Sequence, residues 1–171
     1  MTDPGLELVE VVDLDGNVVE VTTRADVRAG NLRHRCTYVG VVTGDDALVV
    51  HQRAHWKDVY PGAWDVCFGG ICSVGEDWVT SARRELVEEA GLLARSLIEL
   101  GPVVYEGDDG RMVGRVYLVR SDDAITCPDG EVIAVDRVPL ADLDQWLADH
   151  RLCPDSEQLA LPLMRHYLAK E

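Results

Sequence analysis

Residues 70–92 read GICSVGEDWVTSARRELVEEAGL, and this stretch carries the strongest signal for the fold of the chain. Asp77 is a good N-cap, because its carboxylate can accept a hydrogen bond from a free N–H group of the first helical turn. Gly91 suits the left-handed residue that ends many helices. Together these signals predict a helix over residues 78–90.

Two stripes run along this predicted helix. At about 100° per residue, one face carries an apolar stripe and the neighbouring face an acidic one. The apolar stripe comprises Val79, Ala82, Leu86 and Ala90, and the acidic stripe comprises Glu85, Glu88 and Glu89. The apolar stripe must be buried, so the acidic stripe is expected along the border of the core. Three carboxylates within one turn repel each other unless a counter-ion lies between them, and oxygen ligands favour Mg²⁺ or Mn²⁺. The alternative is a solvated acidic face.

Nine positions of the stretch follow the pattern G-x5-E-x7-R-E-U-x-E-E-x-G-U, where U is aliphatic. They are Gly70, Glu76, Arg84, Glu85, Leu86, Glu88, Glu89, Gly91 and Leu92. This spacing resembles the Nudix box residue for residue, and the chain is identified as a member of the Nudix superfamily. The resemblance implies an α/β fold, a Nudix α/β/α sandwich with a mixed central sheet, to which this chain adds an N-terminal β-hairpin. It also implies a loop-helix-loop that binds Mg²⁺ or Mn²⁺, and attack of water on phosphorus in a diphosphate linkage.

The resemblance also implies roles for individual residues of the box. The metal ligands would be Glu88 and Glu89, with the Gly70 carbonyl and Glu85 contributing. Glu85 is alternatively the base that deprotonates the attacking water, and the sequence does not decide between these roles. Glu76 and Arg84 are expected to brace the site, with Arg84 orienting a carboxylate through a charge-assisted hydrogen bond.

Many relatives add a catalytic carboxylate from a distant loop. The candidate here is Glu131, which starts a predicted strand after a flexible loop, and Asp129 is the alternative. An ordinary charge at the edge of a strand is the structural alternative for Glu131.

Residues 34–92 also resemble a narrower branch, which includes type I isopentenyl-diphosphate isomerase and its hydrolase-like relatives. The shared residues are His34-Arg35, Gln52-Arg53, Lys57, the run PGAWD at 61–65, Gly69-Gly70 and Gly75-Glu76. This likeness implies that Arg53 and Lys57 bind the diphosphate, and the alternative is pairing with Asp58 or Asp65.

An isomerase and a nucleotide-binding module without turnover are the two rival functions. Gly69 and Ile71 stand where the isomerase has its cysteine and a histidine, so isomerase activity is disfavoured. A non-catalytic module usually shows damage in the REUxEE segment, and this chain shows none. The predicted function is therefore hydrolysis of a nucleoside-diphosphate derivative or a similar small organic diphosphate.

Composition limits the classes of protein that remain. The 171 residues, 47% of them hydrophobic, predict a single domain over 1–171, with an N-terminal hairpin and short helix at 1–31 and the Nudix core at 32–171. The formal net charge of −15 opposes nucleic-acid binding. The absence of an apolar run of 18 residues argues against membrane insertion, and the N-terminus does not resemble a signal peptide, so a cytoplasmic protein is predicted. The oligomeric state is left open, with a homodimer as one alternative.

The remaining signals place secondary structure along the chain. Strands are predicted within 7–24, as a hairpin turning at 15–17, and at 36–42, 47–52, 64–68, 98–105, 112–120 and 132–138. Helices are predicted at 25–31, 140–147 and 154–169. Five cysteines without a CxxC pair are typical of reduced thiols. Lone histidines at 34, 51 and 55 are more typical of packed or surface residues than of a binding site.

Overall fold

The computed structural model describes residues 4–171, and eight of its strands form one mixed sheet. The strands are Leu8–Val12 (β1), Val18–Thr23 (β2), Arg33–Val42 (β3), Ala47–Arg53 (β4), Trp64–Asp65 (β5), Ile98–Gly107 (β6), Gly110–Arg120 (β7) and Val132–Pro139 (β8). The α-helices are Arg24–Ala29 (α1), Trp78–Glu85 (α2), Leu143–Ala148 (α3) and Leu161–Leu168 (α4). Two π-helical segments, Leu86–Ala90 and Ser156–Ala160, continue α2 and precede α4.

Strand β3 is the centre of the sheet. One of its edges pairs in parallel with β7 over ten residues, from Arg33 opposite Arg111 to Val42 opposite Arg120. Its other edge meets β1 at one end and β4 at the other, both antiparallel. Between these two contacts the segment 68–72 completes the edge, because Val39 N–H donates to the Phe68 carbonyl (2.7 Å) and Thr37 N–H to the Gly70 carbonyl (3.0 Å). The loop at the start of the box is therefore held against the middle of β3.

Alternate side chains of β3 and β7 enter two separate cores, as expected for a sheet covered on both faces. On one face Tyr38 and Leu118 pack with Met164 of α4. On the opposite face Val39 and Tyr117 pack with residues of the box helix, namely Ala82, Leu86 and Ala90, all fully buried. The sheet thus lies between the box helix and the C-terminal helices, which confirms the predicted α/β/α sandwich with a mixed sheet.

The N-terminal hairpin is also as predicted. Asp13 stabilises its turn, because the Asp13 carboxylate accepts hydrogen bonds from the N–H groups of Asp15 (3.0 Å) and Asn17 (2.9 Å). Helix α1 follows directly, capped by the Thr23 hydroxyl, which accepts from Asp26 N–H at 3.1 Å. The division of the chain at residues 31 and 32 stays a prediction.

The box helix differs from the prediction in its second half. It begins after Asp77, as expected, but changes to a π-helical pattern at Leu86 and ends at Gly91, whose φ is 70°. Hydrogen bonds from residue i to i+5 widen this part of the helix, so stripes drawn at a constant 100° do not hold across it. Val79, predicted in the apolar stripe, is 39% exposed.

One strand is shorter than predicted, whereas the last helical region has the predicted extent. The strand expected at 64–68 is regular only at Trp64–Asp65, because the chain then turns into the box loop and Phe68 pairs with β3 through an isolated bridge. The helical region expected at 154–169 is continuous over residues 154–168, with the π-helical segment Ser156–Ala160 before α4, and Pro162 lies in the first turn of α4. Over residues 4–171, no helix combines the length and the apolar character that crossing a membrane requires.

Candidate active site

Two consecutive glycines bring the box loop close to its neighbours. Gly69 has a φ of 152°, and a Cβ atom there would lie 1.9 Å from the carbonyl oxygen of Thr37. A Cβ atom on Gly70 would lie 2.9 Å from the carboxylate of Glu85. The absence of side chains thus lets the loop lie on β3 and on a box carboxylate at the same time.

The three box glutamates do not form the single bordering stripe expected from the sequence. Glu85 and Glu89 are buried, at 9% and 4% exposure, whereas Glu88 is exposed. Burial raises the pKa of Glu85 to about 7, although the charge of Arg84 opposes the shift. Burial also raises the pKa of Glu89, and the charge of Glu85 adds to this effect. A cation between these two side chains would stabilise both of their charged forms.

Arg84 connects the box carboxylates. Its Nε and Nη2 donate to the two oxygens of Glu76, at 3.0 and 2.9 Å, and its Nη1 donates to Glu85 (2.7 Å) and Glu88 (2.9 Å). Nη2 also donates to the Ile71 carbonyl at 3.1 Å. The hydrogen bond from Arg84 lowers the pKa of Glu76, which therefore remains a charged partner. This is the arrangement expected of two bracing residues.

The oxygen atoms predicted to bind metal lie close together, but their side chains are turned towards hydrogen-bond donors. Within residues 4–171, no group of three or more histidine, cysteine, aspartate or glutamate side chains is arranged to hold a metal ion. Arg84 binds one oxygen each of Glu85 and Glu88, and Gly69 N–H donates to one oxygen of Glu89 at 2.9 Å. The second oxygen of each glutamate accepts no hydrogen bond from the described residues. Oxygen ligands of this kind are the chemical type that Mg²⁺ and Mn²⁺ prefer.

One of the two predicted phosphate-binding residues, Lys57, contacts the predicted distant carboxylate, Glu131. Lys57 Nζ forms an ion pair with the carboxylate of Glu131, and not with Asp58 or Asp65. Arg53 Nε donates to the Val59 carbonyl at 3.2 Å. Asp129, the alternative to Glu131, accepts a hydrogen bond from the N–H group of Glu131 at 2.9 Å, and burial raises its pKa.

A cavity of about 300 Å³ collects these residues. All but one of the site residues predicted from the sequence line this cavity. The exception is Glu76, which is hydrogen-bonded to Arg84. The lining residues are Arg53, Lys57, Gly70, Arg84, Glu85, Glu88, Glu89 and Glu131. The cavity is thus acidic where the box helix borders it and carries cationic groups at the end of β4, in Arg53, and four residues further on, in Lys57.

Sequence reasoning missed several residues that line the same cavity. They are Arg24 and Arg28 of α1, His34 and Tyr38 of β3, and Asp155. The spacing of Arg24 and Arg28, four residues apart on a short helix, was the one usable signal. His34 was interpreted as a packed residue, and nothing in the spacing of the chain links it to Asp155.

The cysteines have no geometry that favours nucleophilic chemistry. All five are free, and all but Cys127 are buried. Burial raises the pKa of Cys67 well above its usual range and that of Cys72 to about 11, so both remain protonated thiols at neutral pH. This agrees with the predicted structural role of both thiols.

Relatives in sequence belong to one family. The NUDIX domain matches residues 33–159. An uncharacterised Nudix hydrolase of Yersinia pestis is 37% identical over 112 residues, which cover 66% of this chain and 62% of that protein. This chain therefore spans less than two thirds of that relative's length. An uncharacterised Nudix hydrolase of Streptomyces coelicolor is 32% identical over 151 residues, covering 87% of this chain and 83% of that protein.

Solved structures show the same fold. A Deinococcus radiodurans protein superposes with a TM-score of 0.76 and 22% identity, covering 93% of this chain and 98% of its own. The NUDIX domain of Shewanella oneidensis NrtR, solved in complex with ADP ribose, gives a TM-score of 0.67 and 21% identity, covering 86% and 99%. The domain match extends over more than half of the chain, and it agrees with the box and the sandwich: this chain belongs to the Nudix hydrolase family.

Proposed function

We propose that this protein is a Mg²⁺- or Mn²⁺-dependent hydrolase that cleaves a diphosphate linkage in a nucleoside-diphosphate derivative or a similar small organic diphosphate. The observation that carries the proposal is the convergence of Glu85, Glu88 and Glu89 with the Gly70 loop on one cavity. Arg53 and Lys57 lie in the same cavity and supply the positive charge that a diphosphate requires in a chain of net charge −15.

The metal, when bound, would lower the pKa of a water ligand and neutralise charge on the phosphate oxygens. Glu85 is suited to take a proton from the attacking water, because it lines the cavity and Arg84 holds one of its carboxylate oxygens at 2.7 Å. Glu131 is the alternative proton acceptor in the same cavity, with Asp129 beside it. Arg84 holds Glu85 and Glu88 in fixed orientations through its two Nη1 hydrogen bonds.

Phosphate binding involves an exchange of partners on the segment after β4. Lys57 is paired with Glu131, so it would turn from that carboxylate towards a phosphate oxygen when substrate enters. Glu131 would then be released to accept a proton or to approach the metal. Arg53 forms no ion pair within residues 4–171 and is the cation most readily available to a phosphate group.

The isomerase alternative has no supporting geometry. The side chain at position 69 would have to carry the thiol, and the space for its Cβ atom is taken by the carbonyl oxygen of Thr37. The likeness to the isomerase branch therefore supports only the phosphate-binding role of Arg53 and Lys57. Cytoplasmic location and dimer formation stay predictions from the sequence.

The decisive experiment is a substrate screen with purified protein. Nucleoside diphosphates, nucleoside-diphosphate sugars, ADP-ribose and alkyl diphosphates would be incubated with Mg²⁺ or Mn²⁺, and phosphorus NMR would identify the products. We expect cleavage between the two phosphorus atoms, abolished by a chelator and by Glu89→Gln. Ligand-dependent thermal stabilisation of the wild-type protein without product in any reaction would instead show a binding module.

A further inference from the structure

The cavity contains polar atoms that the protein itself does not satisfy. Seven buried side-chain nitrogen and oxygen atoms in residues 4–171 have no hydrogen-bond partner, and four of these belong to residues that line the cavity. The four atoms are Arg28 Nε, Thr37 Oγ1, His34 Nε2 and Asp155 Oδ1. An unpaired buried polar atom destabilises the folded protein, so the concentration of four such atoms in one cavity points to a ligand that supplies the partners.

His34 presents a hydrogen-bond acceptor to this cavity. The side chain is 1% exposed, and its Nδ1 lies 3.0 Å from the Leu32 carbonyl oxygen, which can only accept. Nδ1 therefore carries the hydrogen. Burial, together with the charges of Arg28 and Arg24, lowers the pKa of His34 to about 4, so the ring is neutral and Nε2 bears a lone pair.

Asp155 presents a second acceptor. The Tyr38 hydroxyl donates to Asp155 Oδ2 at 3.2 Å, and Oδ1 is left without a partner. Burial and the charge of Asp65 raise the pKa of Asp155 to about 6, so the carboxylate is mainly charged at neutral pH. Two unpaired acceptors in the same cavity would repel a phosphate group and attract hydrogen-bond donors.

The cations near His34 do not make this wall a second phosphate site. Arg24 lies 3.3 Å from Glu7 and 3.8 Å from Asp58, and Arg28 lies 3.6 Å from Asp58. Two arginines are thus matched by two carboxylates. The Arg28 contact is made by Nε, which lies near Asp58 Oδ2 but donates no hydrogen bond to it. A hydroxyl group can accept from this N–H group and donate to an acceptor at the same time, because a hydroxyl both donates and accepts.

We infer that His34 and Asp155 bind hydroxyl groups on the sugar part of the substrate, with Arg28 completing the contact, while the diphosphate lies against the box helix. The inference rests on the proposed function and deepens it by naming a substrate with free sugar hydroxyls. Selectivity then comes from acceptors left unpaired when the hydroxyls are missing, which is the strongest way for a site to reject an analogue.

The test compares matched variants on matched ligands. His34→Leu removes the acceptor at similar volume, His34→Gln retains an acceptor oxygen, and Asp155→Asn keeps the oxygen that Tyr38 contacts. The ligands are a ribonucleoside diphosphate, its 2′,3′-dideoxy form, the adenine and hypoxanthine forms of the ribonucleotide, and methyl diphosphate. Both kcat/KM and binding, measured by calorimetry without turnover, are read for each pair.

We expect the wild-type protein to prefer the ribonucleotide to its dideoxy form by about tenfold or more, the ratio of one good hydrogen bond. His34→Leu and Asp155→Asn should lose this preference, so that the ratio of kcat/KM between the ribonucleotide and its dideoxy form falls towards one. His34→Gln should retain most of the preference. If His34→Leu does not fold, Asp155→Asn and His34→Gln still decide the matter.

Equal losses on all ligands, or an unchanged preference in both acceptor variants, would overturn the inference. A preference that follows the adenine amino group instead of the hydroxyls would also overturn it. If no ligand is hydrolysed but ribonucleotide binding still depends on His34 and Asp155, the hydroxyl site stands and the proposed hydrolase function fails.

Discussion

Two parts of the cavity lining differ in how their polar groups are paired. The box wall comprises Arg84, Glu85, Glu88 and Glu89, and the recognition wall comprises His34 and Asp155. On the box wall Arg84 makes hydrogen bonds to Glu76, Glu85 and Glu88, so the charges are held by each other. On the recognition wall, His34 Nε2 and Asp155 Oδ1 have no hydrogen-bond partner. The first wall is preorganised by internal bonds, and the second is complementary to groups outside the protein.

This difference separates chemistry from recognition. Catalytic groups need a fixed orientation, and under the proposed function the hydrogen bonds of Arg84 would supply it before substrate arrives. Recognition groups need a free donor or acceptor that the ligand can pair with. A ligand that lacks the matching group leaves that atom unpaired, and this difference gives the site its selectivity. Substitutions on the box wall should therefore lower kcat for every substrate. Substitutions on the recognition wall should instead change the ratio of kcat/KM between two substrates.

The largest effect on activity is expected from Glu89→Gln. Loss of a metal-binding carboxylate should lower turnover by orders of magnitude and weaken metal binding, measured by calorimetry. The metal-free variant should melt at the wild-type temperature or above it, because a buried carboxylate with a raised pKa is replaced by a neutral group of the same shape. Glu99→Gln, on the surface ion pair with Arg115, is the matched control.

Wild-type turnover in Glu89→Gln would remove Glu89 from the metal site. A strongly lowered melting temperature in metal-free protein would show that Glu89 is chiefly structural. Either result would end the contrast between a catalytic wall and a recognition wall.

The next effect is expected from Arg84→Ala. Glu76, Glu85 and Glu88 would lose their shared donor, and we expect kcat to fall by about 10- to 100-fold, as is usual when a residue that orients metal ligands is removed. The fall should be the same for the ribonucleotide and its dideoxy form. A rise in KM with kcat unchanged would mean that Arg84 binds substrate directly and does not orient the carboxylates.

Arg53→Ala and Lys57→Ala should have a smaller effect, with kcat/KM lowered by roughly tenfold for all diphosphates, in keeping with the loss of one hydrogen bond to a charged group. Metal affinity without substrate should change little in Arg53→Ala. Arg111→Ala, which removes a half-exposed partner of Glu106, is the control. Unchanged kcat/KM in both cavity variants would return Arg53 and Lys57 to a structural role.

The smallest effect on activity is expected from His51→Leu, the counterpart of His34→Leu. His51 is also buried, with its pKa lowered to about 4 by burial and by the charges of Arg53 and Lys57 against that of Asp65, but it stacks on Phe68 and does not line the cavity. Turnover and substrate ratios at neutral pH should therefore stay close to wild type.

His51→Leu should nevertheless change the dependence of stability on pH. Because the folded-state pKa lies below the unfolded value of about 6.5, the stability due to neutral His51 is fully present above pH 6.5 and is lost as the pH falls towards 4. Relative to the leucine variant, the wild-type free energy of unfolding should fall by up to about 3 kcal/mol over this interval. Parallel urea titrations at several pH values measure it, and parallel pH curves for the two proteins would show that His51 is solvated.

Features that depend on local spacing could be predicted from the sequence. Asp77 and Gly91 mark the two ends of the box helix, and the positions of its glutamates and of Arg84 follow from the motif. The nearly continuous apolar runs in β3 and β7 are also local signals, and such runs are typical of strands that are covered on both faces. These features could be predicted because each one is set by residues within a few positions of each other.

Contacts between distant parts of the chain became visible only in the folded structure. The separation of buried Glu85 and Glu89 from exposed Glu88 depends on the π-helical segment and on the box loop seated against β3. The pairing of Lys57 with Glu131 joins residues 74 positions apart, and the contact of Tyr38 with Asp155 joins residues 117 apart. Such contacts leave no periodic signal in the chain, because they arise from the order of strands in the sheet and not from the spacing of neighbouring residues.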